Sequence, residues 1–221
     1  MARKKFDLSL LPPTPNLAFE GELWSAGVAW VAGIDEAGRG ALAGPVAAGV
    51  VILPQREDLE EVLHGVRDSK QMTAKARGEW FKVIEEVAVG AQAGFAGPEE
   101  IDEIGIVPAT RLAAVRALTK LSQQPDHLLI DAISIPETNL PETSLIKGDR
   151  RSLSIACASI IAKVSRDALM ETVEDQYPGY GFSQHKGYGT RMHRNAIADL
   201  GPCEIHRFSF APIREVEVGE S

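Results

Sequence analysis

Three apolar, strand-like runs of this chain lead into carboxylates: Ile34-Asp35-Glu36, Ile130-Asp131 and, after Ile146-Lys147-Gly148, Asp149. A carboxylate at the end of a buried strand is costly unless something pairs with it. Strand ends in an α/β sheet are also where ligands bind. If the three ends converge, Asp35, Glu36, Asp131 and Asp149 share one place and cannot all stay ionised without a counter-charge. Divalent cations meet that need, and all-oxygen ligands select hard ions such as Mg²⁺ or Mn²⁺ over zinc. Two such ions side by side are the usual apparatus for hydrolysing a phosphodiester. The plainer alternative is that each acid caps its own strand. Adjacent Asp35 and Glu36 face opposite sides of an ideal strand, so sharing a site requires the strand to end or distort there. Asp167 competes with Asp149 for the fourth place. It lies four residues after Lys163 and could equally pair with it on a helix; spacing leaves that choice open.

The elements around these runs define the architecture. Residues 28–34 and 46–53 read as strands, the second a β-branched run typical of a buried one. Residues 73–89 read as a helix capped by Thr73, with Trp80, Phe81, Ile84 and Val87-Ala88 as its apolar stripe. A strand at 89–96, a short helix at 98–104 and a longer helix at 108–121 with proline at its start come next. Short strands at 128–131 and 144–146 precede helices at 152–174 and 190–200, the last stopped by Gly201-Pro202. Two strands without an intervening helix, then alternation, predict an α/β fold. Its mixed sheet has an antiparallel front portion, is flanked by helices, and is followed by a helical C-terminal portion. Residues 1–25, with Pro12, Pro13 and Pro15, read as an extended arm, 26–213 as a single domain and 214–221 as an acidic tail. The 152–174 helix carries Ser154, Ala156, Cys157, Ala158, Ser159 and Ala162, small enough to lie close against a sheet. Cys157 in that row reads as a small buried hydrophobe.

Composition narrows the class. The 221 residues make one domain or little more. With 44% hydrophobic and 24% charged residues, wholesale disorder is excluded. The longest uncharged stretch, residues 40–55, contains Gly44, Pro45 and Pro54 and is too short and broken to span a bilayer, so no membrane partner is expected. Met1-Ala2-Arg3-Lys4-Lys5 starts as a signal peptide would, but Asp7 and Pro12-Pro13 leave no apolar run behind it. Two cysteines are too few for a disulfide scaffold, which predicts a reducing, cytoplasmic setting. The five histidines show no His-x₃-His spacing and no Cys-x₂-Cys, so structural zinc is not expected. A net charge of −8 argues against a generic nucleic-acid binder, which would usually be basic. Yet residues 145–214 hold ten Lys/Arg against seven acids, marking where a phosphate backbone could lie.

Three loops offer further chemistry. The glycines of Gly38-Arg39-Gly40 allow a ligand close to the backbone, although a plain tight turn explains them as well. The turn is neither a P-loop nor a dinucleotide fingerprint, since no Gly-x₄-Gly-Lys-Ser/Thr occurs and an extended run follows. Asp68-Ser69-Lys70 offers a hydroxyl and an ammonium to a phosphate. Tyr177-Pro178-Gly179-Tyr180-Gly181-Phe182 and His185-Lys186-Gly187-Tyr188-Gly189-Thr190 interleave aromatics with glycines and bases. Such a segment can stack on sugars or bases while Lys186 holds phosphate; a purely structural aromatic loop is the alternative.

In order, these residues resemble bacterial ribonuclease HII, of the type 2 ribonuclease H family. The resemblance rests on Gly33-Ile34-Asp35-Glu36-Ala37-Gly38-Arg39-Gly40 with Leu42-Ala43-Gly44-Pro45-Val46, then Asp68-Ser69-Lys70 and Leu129-Ile130-Asp131. Lys147-Gly148-Asp149, the Ser154 to Val164 run, the His185 to Thr190 run and His206-Arg207-Phe208-Ser209-Phe210 complete it. It covers roughly residues 28–213. It implies an RNase H-like fold with a mixed five-stranded sheet, and a metal site at Asp35, Glu36, Asp131 and Asp149, which places Asp149 ahead of Asp167 by analogy. It also implies a catalytic domain that acts as a monomer, with two Mn²⁺ or Mg²⁺ ions as cofactors. The implied reaction is hydrolysis of RNA in RNA–DNA hybrids and incision 5′ to single ribonucleotides embedded in DNA. It leaves 5′-phosphate and 3′-hydroxyl ends and serves ribonucleotide removal. In the family, residues matching Gly38, Arg39 and Gly40 read the 2′-hydroxyl, the group that distinguishes RNA from DNA. The residue matching Tyr188 stacks on the neighbouring deoxyribose, and those matching Ser69 and Lys70 hold phosphate.

The chain departs from the family pattern at Cys157, where alanine is common, and at Gly105, where asparagine is usual. The arm is too short for the extra N-terminal domain of ribonuclease HIII. Residues 211–221 contain no Gln-x₂-Leu-x₂-Phe-Phe motif, so sliding-clamp contact is not expected. Two other classes remain to be tested against the fold: a non-catalytic hybrid-binding module, and a metal-dependent phosphatase for small phosphoesters. The latter would not need the basic, aromatic 180–194 segment.

Overall fold

The computed structural model describes residues 6–211, 213 and 214. Its sheet is built outward from two apolar runs: β1 (Val31–Ala37) and β2 (Val46–Ile52) pair antiparallel, with Asp35 opposite Gly49 and Glu36 opposite Ala48. β3 (Gly90–Ala96) adds antiparallel to β2. On the other side of β1 come β4 (His127–Asp131) and β5 (Glu142–Leu145), both parallel. The order β3-β2-β1-β4-β5 is the expected mixed sheet with an antiparallel front.

Eight helices accompany the sheet among the described residues: α1 (Ala18–Ser25), α2 (Leu59–Val62), α3 (Ala74–Val87), α4 (Pro98–Ile104), α5 (Ile106–Thr119), α6 (Leu153–Thr172), α7 (Phe182–His185) and α8 (Arg191–Leu200). Side-chain caps set three of their starts: the hydroxyls of Thr73, Ser152 and Thr190 accept from the backbone N–H of Ala76, Ile155 and His193. α6 and α5 cover opposite faces. Ala32, Ile34, Ala48 and Val50 pack with α5, whereas Val51 packs with α6. The small-residue row on α6 meets glycines of the sheet. A Cβ on Gly33 would stand 2.2 Å from the Ser154 carbonyl carbon, and one on Gly49 would stand 2.2 Å from the Ala158 oxygen. Cys157 is fully buried in this contact, and burial pushes its thiol pKa up. No helix among the described residues is long and apolar enough to cross a membrane.

Three expectations are corrected. The arm is not wholly extended: a 3-10 turn forms at Leu8–Leu10, and α1 docks on the start of α6. The fully buried Glu20 accepts there from the Ser152 and Ser154 hydroxyls, both at 2.6 Å, and from the Ser154 N–H at 2.9 Å. β1 does not end at the paired acids but runs through them to Ala37. β5 stops at Leu145, so Asp149 sits on a separate 3-10 turn, Gly148–Arg150, entered through Lys147 at φ +59°. Of the expected acidic tail, residues 215–221 lie outside the described residues, and so does the expectation of no clamp motif there.

Candidate active site

β1 delivers Asp35, the last residue of β4 is Asp131, and the turn before α6 carries Asp149. One carboxylate oxygen from each lies within 4.8 Å of the others. Asp131 Oδ1 accepts from the Gly148 N–H at 2.9 Å, tying β4 to the turn that holds Asp149. Asp35 and Asp149 are only 3% and 4% exposed, and Asp149 Oδ1 is a buried oxygen without a hydrogen-bond partner. Because β1 stays regular, alternation sends Asp35 to the α6 side with Gly33 and Glu36 to the side of Ile34. Glu36 therefore stands beside the cluster, where it accepts from Arg39 Nη1 at 3.2 Å. Asp167 is elsewhere, held by Lys163 at 2.7 Å and Arg77 at 3.7 Å.

The electrostatics are those of a site short of positive charge. Burial, reinforced by Glu36 and Asp131, pushes the Asp35 pKa well above the ordinary carboxylate range. Burial, then the charges of Asp131 and Asp68, pushes Asp149 up to about 6. Burial raises Asp131 against the hydrogen bond from Gly148, and raises Glu36 against the pull of Arg39. Burial opposes the charge on Lys70, yet Asp35, Asp68, Asp149 and Glu36 outweigh it and raise its pKa. An all-oxygen donor set with an orphaned buried oxygen fits a divalent metal ion.

The turn after β1 lies beside the tyrosine loop. Gly38, at φ +86°, is packed shut, because a Cβ there would come within 2.0 Å of Arg166 Nε. Gly40 is exposed, with nothing within 4 Å of where its Cβ would be, so it is the open point of approach. Ala41 bridges Tyr188, and the Leu42 N–H donates to the Gly187 carbonyl at 2.8 Å. The Tyr188 ring is half-buried, with Lys163 Nζ 5.3 Å and Arg166 Cζ 5.4 Å from its centre. It borders a groove of about 650 Å³ lined also by Arg77, Lys163, Asp167, Glu171 and Lys186. On the other side, Ser69 is buried and its N–H donates to Ser159 Oγ at 3.3 Å. Lys70 is exposed on a 3-10 turn where Asp68 accepts from its N–H at 2.9 Å.

Two sequence expectations need revision. Of the aromatic-rich segment, Tyr180 and Phe182 are buried against His206, and the buried His185 stacks on His193 and shows an edge to the groove, so Tyr188 is the tyrosine that lines it. The basic balance of residues 145–214 is not all surface charge either. Arg166 and Arg207 are fully buried, and Lys163 and Lys186 are matched by Asp167 and Glu171. Lys186 Nζ is thus held 2.6 Å from Glu171 and not free for phosphate in this arrangement. Asp68, Arg166 and Arg207 bear on the site without standing out in the sequence. Asp68 was visible only as the neighbour of Ser69-Lys70, and the two arginines only as two charges among many.

Comparison with known proteins matches the description of this site. A family model for ribonuclease HII covers residues 32–213. A ribonuclease HII of Synechococcus sp. (strain JA-3-3Ab) is 50% identical over 93% of this chain and 92% of its own. That of Chloroflexus aurantiacus is 51% identical over 91% and 95%. Among solved structures, the ribonuclease H2 of Pyrococcus horikoshii OT3 superposes with a TM-score of 0.72 at 27% identity, covering 86% of this chain and 98% of that one. An Archaeoglobus fulgidus ribonuclease HII, solved in complex with PCNA, gives 0.69 at 26% identity, covering 82% and 95%. On these matches, which run from β1 to the C-terminal helical portion, the chain belongs to the ribonuclease HII family.

Proposed function

We propose that this chain, an endoribonuclease acting on RNA–DNA hybrids, also incises duplex DNA 5′ to a single embedded ribonucleotide, at the centre formed by Asp35, Asp131 and Asp149. The carrying observation is that cluster: three carboxylates within 4.8 Å, one with an unpartnered buried oxygen. Two Mg²⁺ or Mn²⁺ ions, when bound, would supply an activated water and charge stabilisation of the leaving oxygen. Asp35, Asp131 and Asp149 would hold them, with Glu36 at the margin. The Gly148 N–H keeps Asp131 oriented toward the cluster. The exposed backbone at Gly40 would meet the 2′-hydroxyl, a group present on RNA and absent from DNA. Tyr188, one bridge away from that turn, would lie against the next sugar. Lys70, whose charge the surrounding carboxylates favour, would neutralise the phosphate at the reacting step.

The remaining classes fit less well. A non-catalytic binding module has no use for buried, mutually repelling carboxylates. A small-substrate phosphatase has no use for the open groove beside Tyr188. The test is a labelled duplex with one ribonucleotide, incubated with Mg²⁺, Mn²⁺ or EDTA. Incision on the 5′ side with either metal and none with EDTA is expected; scission in EDTA would overturn the metal assignment. Tyr188→Ala should slow this incision, and an unchanged rate would remove Tyr188 from the site.

A further inference from the structure

Two guanidinium groups are wholly buried where no carboxylate meets them. Arg166 on α6 and Arg207, seven residues beyond α8, are each 0% exposed. Neither forms an ion pair among the described residues. Taking a cation out of water without an opposite charge is expensive, and an apolar side chain would fill the space at less cost. Burial pushes the pKa of both down, that of Arg207 to about 9.

What the two gain is a set of backbone carbonyls. Arg166 donates to Pro45 at 2.7 Å, to Ala43 at 3.1 Å and, across the fold, to Lys186 at 2.9 Å. Arg207 donates to Gly44 at 2.9 Å and to Arg39, inside the glycine turn, at 3.0 Å. The acceptors belong to two segments: the stretch from Arg39 to Pro45, and the loop that carries Tyr188. Arg166 also packs against Gly38 and lies 5.4 Å from the Tyr188 ring. A planar fork fixes the relative position of its acceptors, which the single point charge of a lysine does not.

We propose that Arg166 and Arg207 are positioning residues that lock the Gly38-Arg39-Gly40 turn and the Tyr188 loop into one rigid gauge. The fixed separation of the two then selects a ribonucleotide followed by a deoxyribonucleotide. This rests on the functions proposed above for the turn and for Tyr188. A long hybrid offers a ribose to the turn in many registers and needs no such gauge. A single ribonucleotide offers one register, so loosening the gauge harms that substrate more. The carboxylates come from β1, β4 and the Gly148–Arg150 turn, so the metal centre is left as it was.

The experiment compares Arg166→Met, Arg207→Met, Arg166→Lys and Arg207→Lys with wild type, measuring kcat and KM with Mg²⁺. One duplex contains a single ribonucleotide and the other is a full RNA–DNA hybrid. In the methionine variants the ratio of kcat/KM for the first over the second should fall on the order of 10- to 100-fold, as misplacement by about 1 Å can produce. Lysine should not restore it, and the rise in Tm on adding Mn²⁺ should match wild type. A folded variant in which both activities fall equally would show a merely structural role and overturn the proposal, as would full rescue by lysine. If the substitutions prevent folding, native-state hydrogen exchange of wild type decides. The amides of Ala41, Leu42 and Tyr188 should open together with one denaturant dependence; independent opening would overturn the gauge. Should wild type cut neither duplex, the proposed function fails, and the exchange experiment still judges the gauge alone.

Discussion

At the scale of single residues, the site is governed by buried carboxylates that repel one another. Asp149 makes the consequence measurable. Its ordinary pKa near 3.8 is raised to about 6 in the folded, metal-free protein, so the folded state holds that proton more tightly than the unfolded chain. The resulting contribution to stability is complete below about pH 4 and is lost as pH rises through about 6. A cation that binds the ionised cluster acts in the opposite sense, because only the folded state presents the site. Differential scanning fluorimetry with and without Mn²⁺ should therefore show a Tm rise that is small at pH 5 and larger at pH 8. An equal rise at both would mean the ion binds elsewhere. Asp35→Asn removes one of the three clustered charges. It should abolish cleavage of a ribonucleotide-containing duplex, leave the far-UV circular dichroism unchanged and shrink the Mn²⁺-dependent rise; retained activity would remove Asp35 from the centre. The sequence was informative here because a carboxylate after an apolar strand is unusual on physical grounds alone. For Glu36 it supplied the condition, a strand that ends or distorts at the paired acids, but not the outcome, which is that β1 runs straight through both. For Asp167 it offered the pair with Lys163 one helical turn earlier, which forms at 2.7 Å, but not the second partner, Arg77, 90 residues away.

At the scale of elements, the decisive contact is α6 against β1 and β2. Small residues on the helix meet Gly33 and Gly49 of the strands with room for no side chain. Gly49→Ala should therefore force the helix outward and lower stability by about 1–3 kcal/mol, the range for overpacked cores. In a domain of this size that corresponds to a Tm fall of roughly 2–4 °C per kcal/mol. An unchanged urea midpoint would show that the helix can give way without strain. Because α6 begins directly after the turn bearing Asp149 and ends its buried stretch under Tyr188, its displacement also moves both ends of the site. Periodicity and caps made α3, α4, α6 and α8 legible to within a few residues. α1 was hidden, since Pro12, Pro13 and Pro15 dominate its neighbourhood. What holds it is the burial of Glu20 among hydroxyls of a helix start some 130 residues away. A local polar contact at its start comes from Asn16, whose side chain accepts from the Ala18 N–H at 3.1 Å, while the N-cap position itself is Leu17.

For the whole molecule, the open question is how a chain of net charge −8 engages a polyanion. The uneven charge along the sequence suggested a basic binding face, but folding withdraws much of it. Arg166 and Arg207 are spent on backbone carbonyls inside the fold, while Lys163, Lys186 and Arg77 face acidic partners. Lys147, Arg150, Arg151, Arg191 and Arg194 form no ion pair among the described residues, but they act against a net charge of −8 and an acidic centre that repels a duplex while it is metal-free. Non-specific binding should then be weak and only shallowly salt-dependent, since the slope of log K against log salt is about −0.9 per phosphate neutralised. Fluorescence anisotropy with an all-DNA duplex, which the enzyme cannot cut, measures this directly. In EDTA at physiological salt, Kd should lie at or above about 10 μM, with a slope of about −2 to −3. Mg²⁺ should tighten binding by cancelling the charge of the carboxylate cluster. Sub-micromolar binding in EDTA with a steep slope would instead require a basic surface, and would show that the paired lysines of the groove leave their acidic partners when DNA approaches.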